Sequence, residues 1–157
     1  MGDDDTGIPQ AELTGVIGPP DTAAMRLIRE QFRRDEPLVE STDFDSVLHP
    51  RALRIEFSDG IGSADHCRLS VTWYRSGAYR FHHVDSEDVN WRFDRHPNPH
   101  SPVKHFHEPP AAASHTAVES CIEAEQPRVV ARAVHKLWRR AYETGTHDLV
   151  NTAQNPP

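Results

Sequence analysis

Lysine is nearly missing from this chain: Lys104 and Lys136 stand against fifteen arginines. Acidic residues are plentiful, and the combination with Ala, Val and Thr is expected of a protein working in concentrated salt. A GC-rich coding sequence gives the same bias. Cysteine is scarce too. Cys67 and Cys121 lie far apart in the sequence with no paired-cysteine spacing. That excludes a disulfide framework and a zinc ribbon, and fits a reducing, cytoplasmic setting with both thiols serving as small apolar residues. No apolar run approaches the roughly 18 residues a spanning helix needs. The leading MGDDDTG has neither a basic nor an apolar stretch, so it does not read as a secretory signal. Glycine-rich phosphate loops and a nucleophile elbow are also lacking, which disfavours nucleotide hydrolysis and serine-hydrolase chemistry.

What is present is one domain's worth of chain. The 157 residues are 36% hydrophobic and interrupted by 13 prolines. This predicts a flexible acidic segment over residues 1–20, a single domain over 21–146 and a flexible tail over 147–157. Charge is uneven. Residues 1–50 hold eleven acids and four arginines, which accounts for the whole net charge of −7, and residues 51–157 balance. The body of the protein is therefore free to carry positive patches.

Periodicity sets the fold class. Asp21 or Thr22 is placed to cap a helix to about Arg34, with Met25, Ile28 and Phe32 on one face and Pro37 beyond its end. Residues 38–50 read as a polar connecting loop. Alternation with a period of two then takes over in Leu53–Phe57, Cys67–Trp73, Tyr79–His83 and Val89–Phe93, with turns at Asp59-Gly60, Ser76-Gly77 and Asp85–Asp88. Ser114 could begin a short helix through Cys121. Pro127 suits the first turn of a longer one ending at Gly145, with Val130, Ala133, Val134, Leu137 and Ala141 on one face. The expectation is an α+β fold: a four-stranded antiparallel meander, with one N-terminal helix and one or two C-terminal helices packed on it.

Three groups of residues bear on chemistry. Seven of the eleven histidines fall between His82 and His115, and the stretch around His96, His100, His105 and His107 also carries Arg92, Arg95 and Lys104 against the single acid Asp94. Imidazole serves as base and acid near neutral pH, so such a set suits metal-free RNA cleavage. One ring takes the 2′-hydroxyl proton, another protonates the departing 5′-oxygen, and a cation stabilises phosphate. Zinc or nickel binding through His105-x-His107, or a solvated loop without chemistry, uses the same residues. Arg128, Arg132, Lys136 and Arg140, four residues apart, line one side of the last helix. They suit a nucleic-acid backbone, an acidic partner, or simple pairing with the acids of the first fifty residues. The aromatics are expected in the core by alternation, except Tyr74, which is placed to stack on a base.

The segments Tyr79-Arg80-Phe81-His82, Trp91-Arg92-Phe93-Asp94, His96-Pro97 with His100, and Lys104-His105-Phe106-His107 carry a resemblance. Together they resemble the TumE family of toxins from prokaryotic toxin–antitoxin pairs. That family has a tyrosine-rich hairpin, an aromatic strand ending in Asp, and a Pro/His loop with a HxH element. Arg95 departs from the asparagine usual after that Asp, and the acidic N-terminal extension is longer than usual. The resemblance implies a small α+β protein, a helix-turn-helix antitoxin as partner, and RNA or translation as the target class. It carries no catalytic residue with it. From the residues themselves, His105 and His107 are expected as the acid/base pair, with His96 or His100 as substitute. Arg92 and Lys104 would stabilise phosphate and Asp94 would orient an imidazole. The Arg128–Arg140 stripe would grip RNA, with no metal or other cofactor. A metal-binding or adaptor module is the alternative.

Overall fold

The computed structural model describes residues 18–96 and 103–152. Helix α1 (Thr22–Asp35) starts where Asp21 accepts a 3.0 Å hydrogen bond from the Ala24 amide through its side chain. That bond satisfies one of the donors a helix start leaves open. Seven strands follow before the last helix: β1 (Val39–Phe44), β2 (Leu53–Phe57), β3 (Cys67–Trp73), β4 (Tyr79–Asp85), β5 (Asn90–Arg95), β6 (Lys104–His107) and β7 (Val118–Glu119). Helix α2 (Pro127–Thr144) has Pro127 in its first turn and ends at Gly145, whose φ of 76° gives the left-handed cap. All seven strands lie in sequence order in one antiparallel sheet.

The α+β class matches expectation, but the sheet has seven strands where four are expected. Each extra strand has a physical reason. Strand β1 replaces the expected 38–50 loop; it lies at the sheet edge, has no fully buried residue, and so lacks the apolar alternation that marks a strand. In β6 the alternation is inverted in character: Phe106 lies on one face and His105 and His107 on the other, all three buried. Histidines read as exposed conceal such a strand. The expected helix Ser114–Cys121 is only a 3₁₀ turn over Ser114–Thr116, followed by the two residues of β7.

Both helices pack on one face of the sheet. Leu53, Ile55, Phe57, Leu69, Val71, Phe81, Trp91 and Phe93 meet Met25, Ile28, Phe32, Val130, Val134 and Trp138, all of them inaccessible or nearly so. Trp138 stacks on Phe57 at 4.4 Å and on Tyr142 at 5.4 Å. Tyr74 lies just past β3, half-buried, bridging to Pro20. Residues 147–152 turn back after α2: Val150 is buried, and the Asn151 side chain bonds both the Cys121 amide and the Glu119 carbonyl.

Two turns set the register that matters most. At Gly77 φ is 94°, a conformation that favours glycine in the β3–β4 turn, and an added Cβ would also displace the Arg95 guanidinium 2.7 Å away. Between β4 and β5, Asp85 accepts from the amides of Glu87 and Val89 while Asp88 takes a φ of 64°. This turn pairs Arg80 with Asp94 and His82 with Arg92.

Candidate active site

Opposite the helices, the other face of the sheet is polar, and two cross-strand rows meet on it. One row runs Thr72, Arg80, Asp94, His105, Glu119; the next runs Ser70, His82, Arg92, His107. Residues directly across antiparallel strands lie about 5 Å apart, so the two rows make one cluster. At its centre Asp94 is only 1% exposed. Its Oδ1 accepts from Arg80 Nε at 3.2 Å, and its Oδ2 accepts from Arg92 Nε at 2.9 Å and faces His107 Nε2 at 3.1 Å. Burial alone would raise its pKa. The His107 hydrogen bond and the charges of Arg80 and Arg92 outweigh burial and hold the carboxyl below the usual carboxylate range. It is an anion at neutral pH, fully paired.

His107 is flanked by acceptors at both nitrogens. Nε2 faces Asp94, and Nδ1 lies 3.3 Å from the Ala113 carbonyl. Both bonds form together only when the ring carries both protons. Arg92 Nη2 lies 3.4 Å from the same Nε2, a donor that this nitrogen accepts only in the tautomer that leaves it unprotonated. His105 sits next to His107 with ring centroids 5.4 Å apart, and His105 Nε2 lies 3.3 Å from His96 Nε2. For that contact to be a hydrogen bond one Nε2 must donate and the other accept. The structure thus joins Asp94, Arg92, His105, His107 and His96, all singled out in the sequence. His100 lies outside the described residues.

The remaining expected residues lie elsewhere. Lys104 alternates with His105 to the helix side of β6, where Nζ bonds the Glu123 carbonyl at 2.6 Å and Glu125 at 3.0 Å. Arg128, Arg132 and Lys136 are exposed on α2, which covers the opposite face of the sheet. Arg140 is turned to the chain end, where it bonds the Leu149 carbonyl and, at 2.7 Å, Thr152. Their neighbours His135 and Arg139 bind the buried Glu36 at 2.9 and 3.0 Å. Arg80 is the residue that reading the sequence missed. Its signal was its parity with His82, but that parity reaches Asp94 only once the Asp85–Asp88 turn fixes the register.

Asp94, His105 and His107 also offer ligand atoms within 4.8 Å of one another, the set a transition metal requires. Against that, both Asp94 oxygens already take guanidinium donors. The paired carboxylate leaves one positive charge over between Arg80 and Arg92, which suits an anion better than a cation. Neither cysteine is poised as a nucleophile: burial pushes the Cys67 thiol up to about 12 and raises Cys121 as well.

The fold and site define a small α+β protein with a buried His/Arg/Asp cluster on the face of its sheet opposite the helices. A family model described as Toxin TumE matches residues 26–144, a span that includes every residue of the cluster, and the chain belongs to that toxin family. Membership implies an antitoxin as partner. No curated protein and no solved structure matches the chain. Among the described residues no helix is long and apolar enough to cross a membrane.

Proposed function

We propose that this TumE-family chain is a cytoplasmic toxin that cleaves RNA by metal-independent acid/base chemistry at the Asp94 cluster, held in check by a helix-turn-helix antitoxin. The His96–His105 pair removes the proton from a ribose 2′-hydroxyl, whose oxygen attacks the adjacent phosphorus. His107 gives its proton to the departing 5′-oxygen, and Asp94 orients that ring. Arg92 and Arg80 stabilise the charge gathered on phosphate in the transition state. The products are a 2′,3′-cyclic phosphate and a 5′-hydroxyl. Arg80, with 44% of its side chain exposed, is the outermost member and meets the substrate first. The observation that carries this reading is a doubly flanked His107 beside the adjacent His96–His105 pair, with an excess of arginine charge around one carboxylate.

Growth after induction of the chain alone tests it, beside a His105→Ala/His107→Ala version and with RNA ends sequenced. Arrest by the native protein only, with new cyclic-phosphate ends, is expected. Equal arrest by both proteins sinks the histidine assignment.

The 4.8 Å grouping of Asp94, His105 and His107 favours a second reading, a non-enzymatic metal-binding module. In that case purified protein retains stoichiometric zinc that His105→Ala abolishes. Fully folded protein without zinc dismisses it.

A further inference from the structure

The two edges of the sheet are built differently. The β7 edge is two residues long, and the Asn151 side chain bonds the backbone of Glu119 and Cys121 beside it, as a pairing strand would. A short, covered edge resists pairing with other chains. The β1 edge is six residues long, and none of the described residues pairs with its outer side. The Asp45 amide bonds inward to the Ala52 carbonyl at 3.0 Å. Antiparallel alternation then turns Asp43 and Ser41 inward, and leaves the amides and carbonyls of Thr42 and Phe44 pointing outward.

At the end of this edge the chain presents two adjacent apolar side chains to solvent. Val47 is 95% exposed and Leu48 82%. They do not sit on a slack loop. Asp45 accepts from the amides of Arg51 and Ala52 at 2.9 and 3.0 Å, and Ser46 accepts from the His49 amide at 3.1 Å. A hydrogen-bonded turn that holds Val and Leu outward costs solubility unless another surface covers them. The charge of the strand itself has one sign, although Arg29 of α1 stacks on Phe44 at 5.3 Å and Arg33 lies beside Val39–Thr42. Glu40, Asp43 and Asp45 are exposed, and residues 39–48 contain no basic residue.

We propose that the β1 edge, with Val47 and Leu48 as its apolar anchor, is the docking surface for the antitoxin, which adds an extended basic segment to the sheet as an eighth strand. Backbone groups of Thr42 and Phe44 supply the pairing, the Val47–Leu48 pair supplies burial, and Glu40, Asp43 and Asp45 select a segment bearing Lys or Arg. A second copy of this chain is the poorer occupant, because pairing two β1 edges sets these acids against each other. Docking here lies across the sheet from β6, so the antitoxin grips the toxin by an edge distinct from the histidine cluster. The inference rests on membership of the toxin family and not on the RNA chemistry, since binding is measured without catalysis.

The test is titration calorimetry of the purified cognate antitoxin against the whole chain and three variants. Val47→Glu/Leu48→Glu alters only exposed side chains and is expected to weaken binding at least tenfold with the far-ultraviolet circular dichroism unchanged. Thr42→Pro, which removes one outward amide, is expected to weaken it similarly, and Glu40→Lys less, with the loss largest at low salt. Antitoxin affinity within twofold of the native chain for both Val47→Glu/Leu48→Glu and a folded Thr42→Pro overturns the proposal. So does a shift of the double variant from dimer to monomer in sedimentation with antitoxin affinity intact, which assigns the edge to a second copy.

Discussion

Strands β4 and β5 carry buried ionisable side chains on both of their faces, and the two faces treat them in opposite ways. On the face opposite the helices, called the open face only because no helix covers it, Asp94 is held by Arg80, Arg92 and His107. On the helix-covered face, His83 is fully buried, stacked at 4.6 Å on Trp91, and neither ring nitrogen has a hydrogen-bond partner among the described residues. Burial, with the His147 and His82 rings beside it, pushes His83 down to about 3, so it stays neutral and behaves as a flat core residue. One centre keeps its charge by gathering partners, and the other gives its charge up. The difference teaches where chemistry can reside: a charge retained in a buried place is expensive, and partners arranged around it are the mark of a site.

The largest effect should come from breaking the open-face centre. His107→Ala is expected to lower the rate of RNA cleavage by about 100-fold or more, the usual worth of a positioned acid or base, measured on a defined oligoribonucleotide. A loss below threefold would remove His107 from the reaction. Asp94→Ala is expected to cost about 3 kcal/mol in urea denaturation, because it strands buried arginine charge. If stability is unchanged, the cluster does not hold the fold in the way its geometry implies.

On the covered face the expected effects follow from packing and from protons. Trp138→Ala removes the stack on Phe57 and Tyr142 and should cost about 4 kcal/mol. For His83 the sign is fixed by the lowered pKa. Below the ordinary value of 6.5 the unfolded chain takes up a proton that the folded chain refuses until about 3. Stability therefore falls as pH falls across that window, by up to about 1.4 kcal/mol per pH unit for each such histidine. His147, which burial lowers as well, adds to the slope. His83→Leu should flatten the acid limb of the stability curve to roughly what His147 and His82, both lowered by burial, leave, and an unaltered limb would show that His83 is not its source.

The smallest effect should come from the helix stripe. Arg132→Glu/Lys136→Glu alters exposed side chains on the far side of the sheet from the cluster, so stability should move by about 0.5 kcal/mol or less. RNA cleavage should stay within threefold at moderate salt. A larger drop in cleavage would mean that substrate wraps both faces.

Much of the covered face was legible in the sequence, because burial there is written in apolar periodicity. Leu53–Phe57 and Cys67–Trp73 are strands with the bounds their alternation predicts, and α2 runs from Pro127 to Thr144 as its proline and Gly145 require. The open face was legible in residue type and not in place. His105, His107, His96, Asp94 and Arg92 stood out by composition, but β6 was hidden because one of its two buried faces is made of histidines. Lys104, three residues before His107, looked equivalent to its neighbours until strand parity sent it to Glu125. The stripe on α2 was correctly spaced, yet a helix carries no information on which face of the sheet it will cover.

The sequence by itself determined the α+β class, the two helices, the four strands β2–β5 and the identity of the polar residues rich enough in chemistry to matter, since these follow from local periodicity and capping. The tertiary structure alone decided that Arg80 meets Asp94, that His96 meets His105, and that the α2 cations lie away from both. Those contacts depend on strand register and layer order, which are fixed by turns and by burial summed over the whole chain, and no short stretch of sequence encodes them.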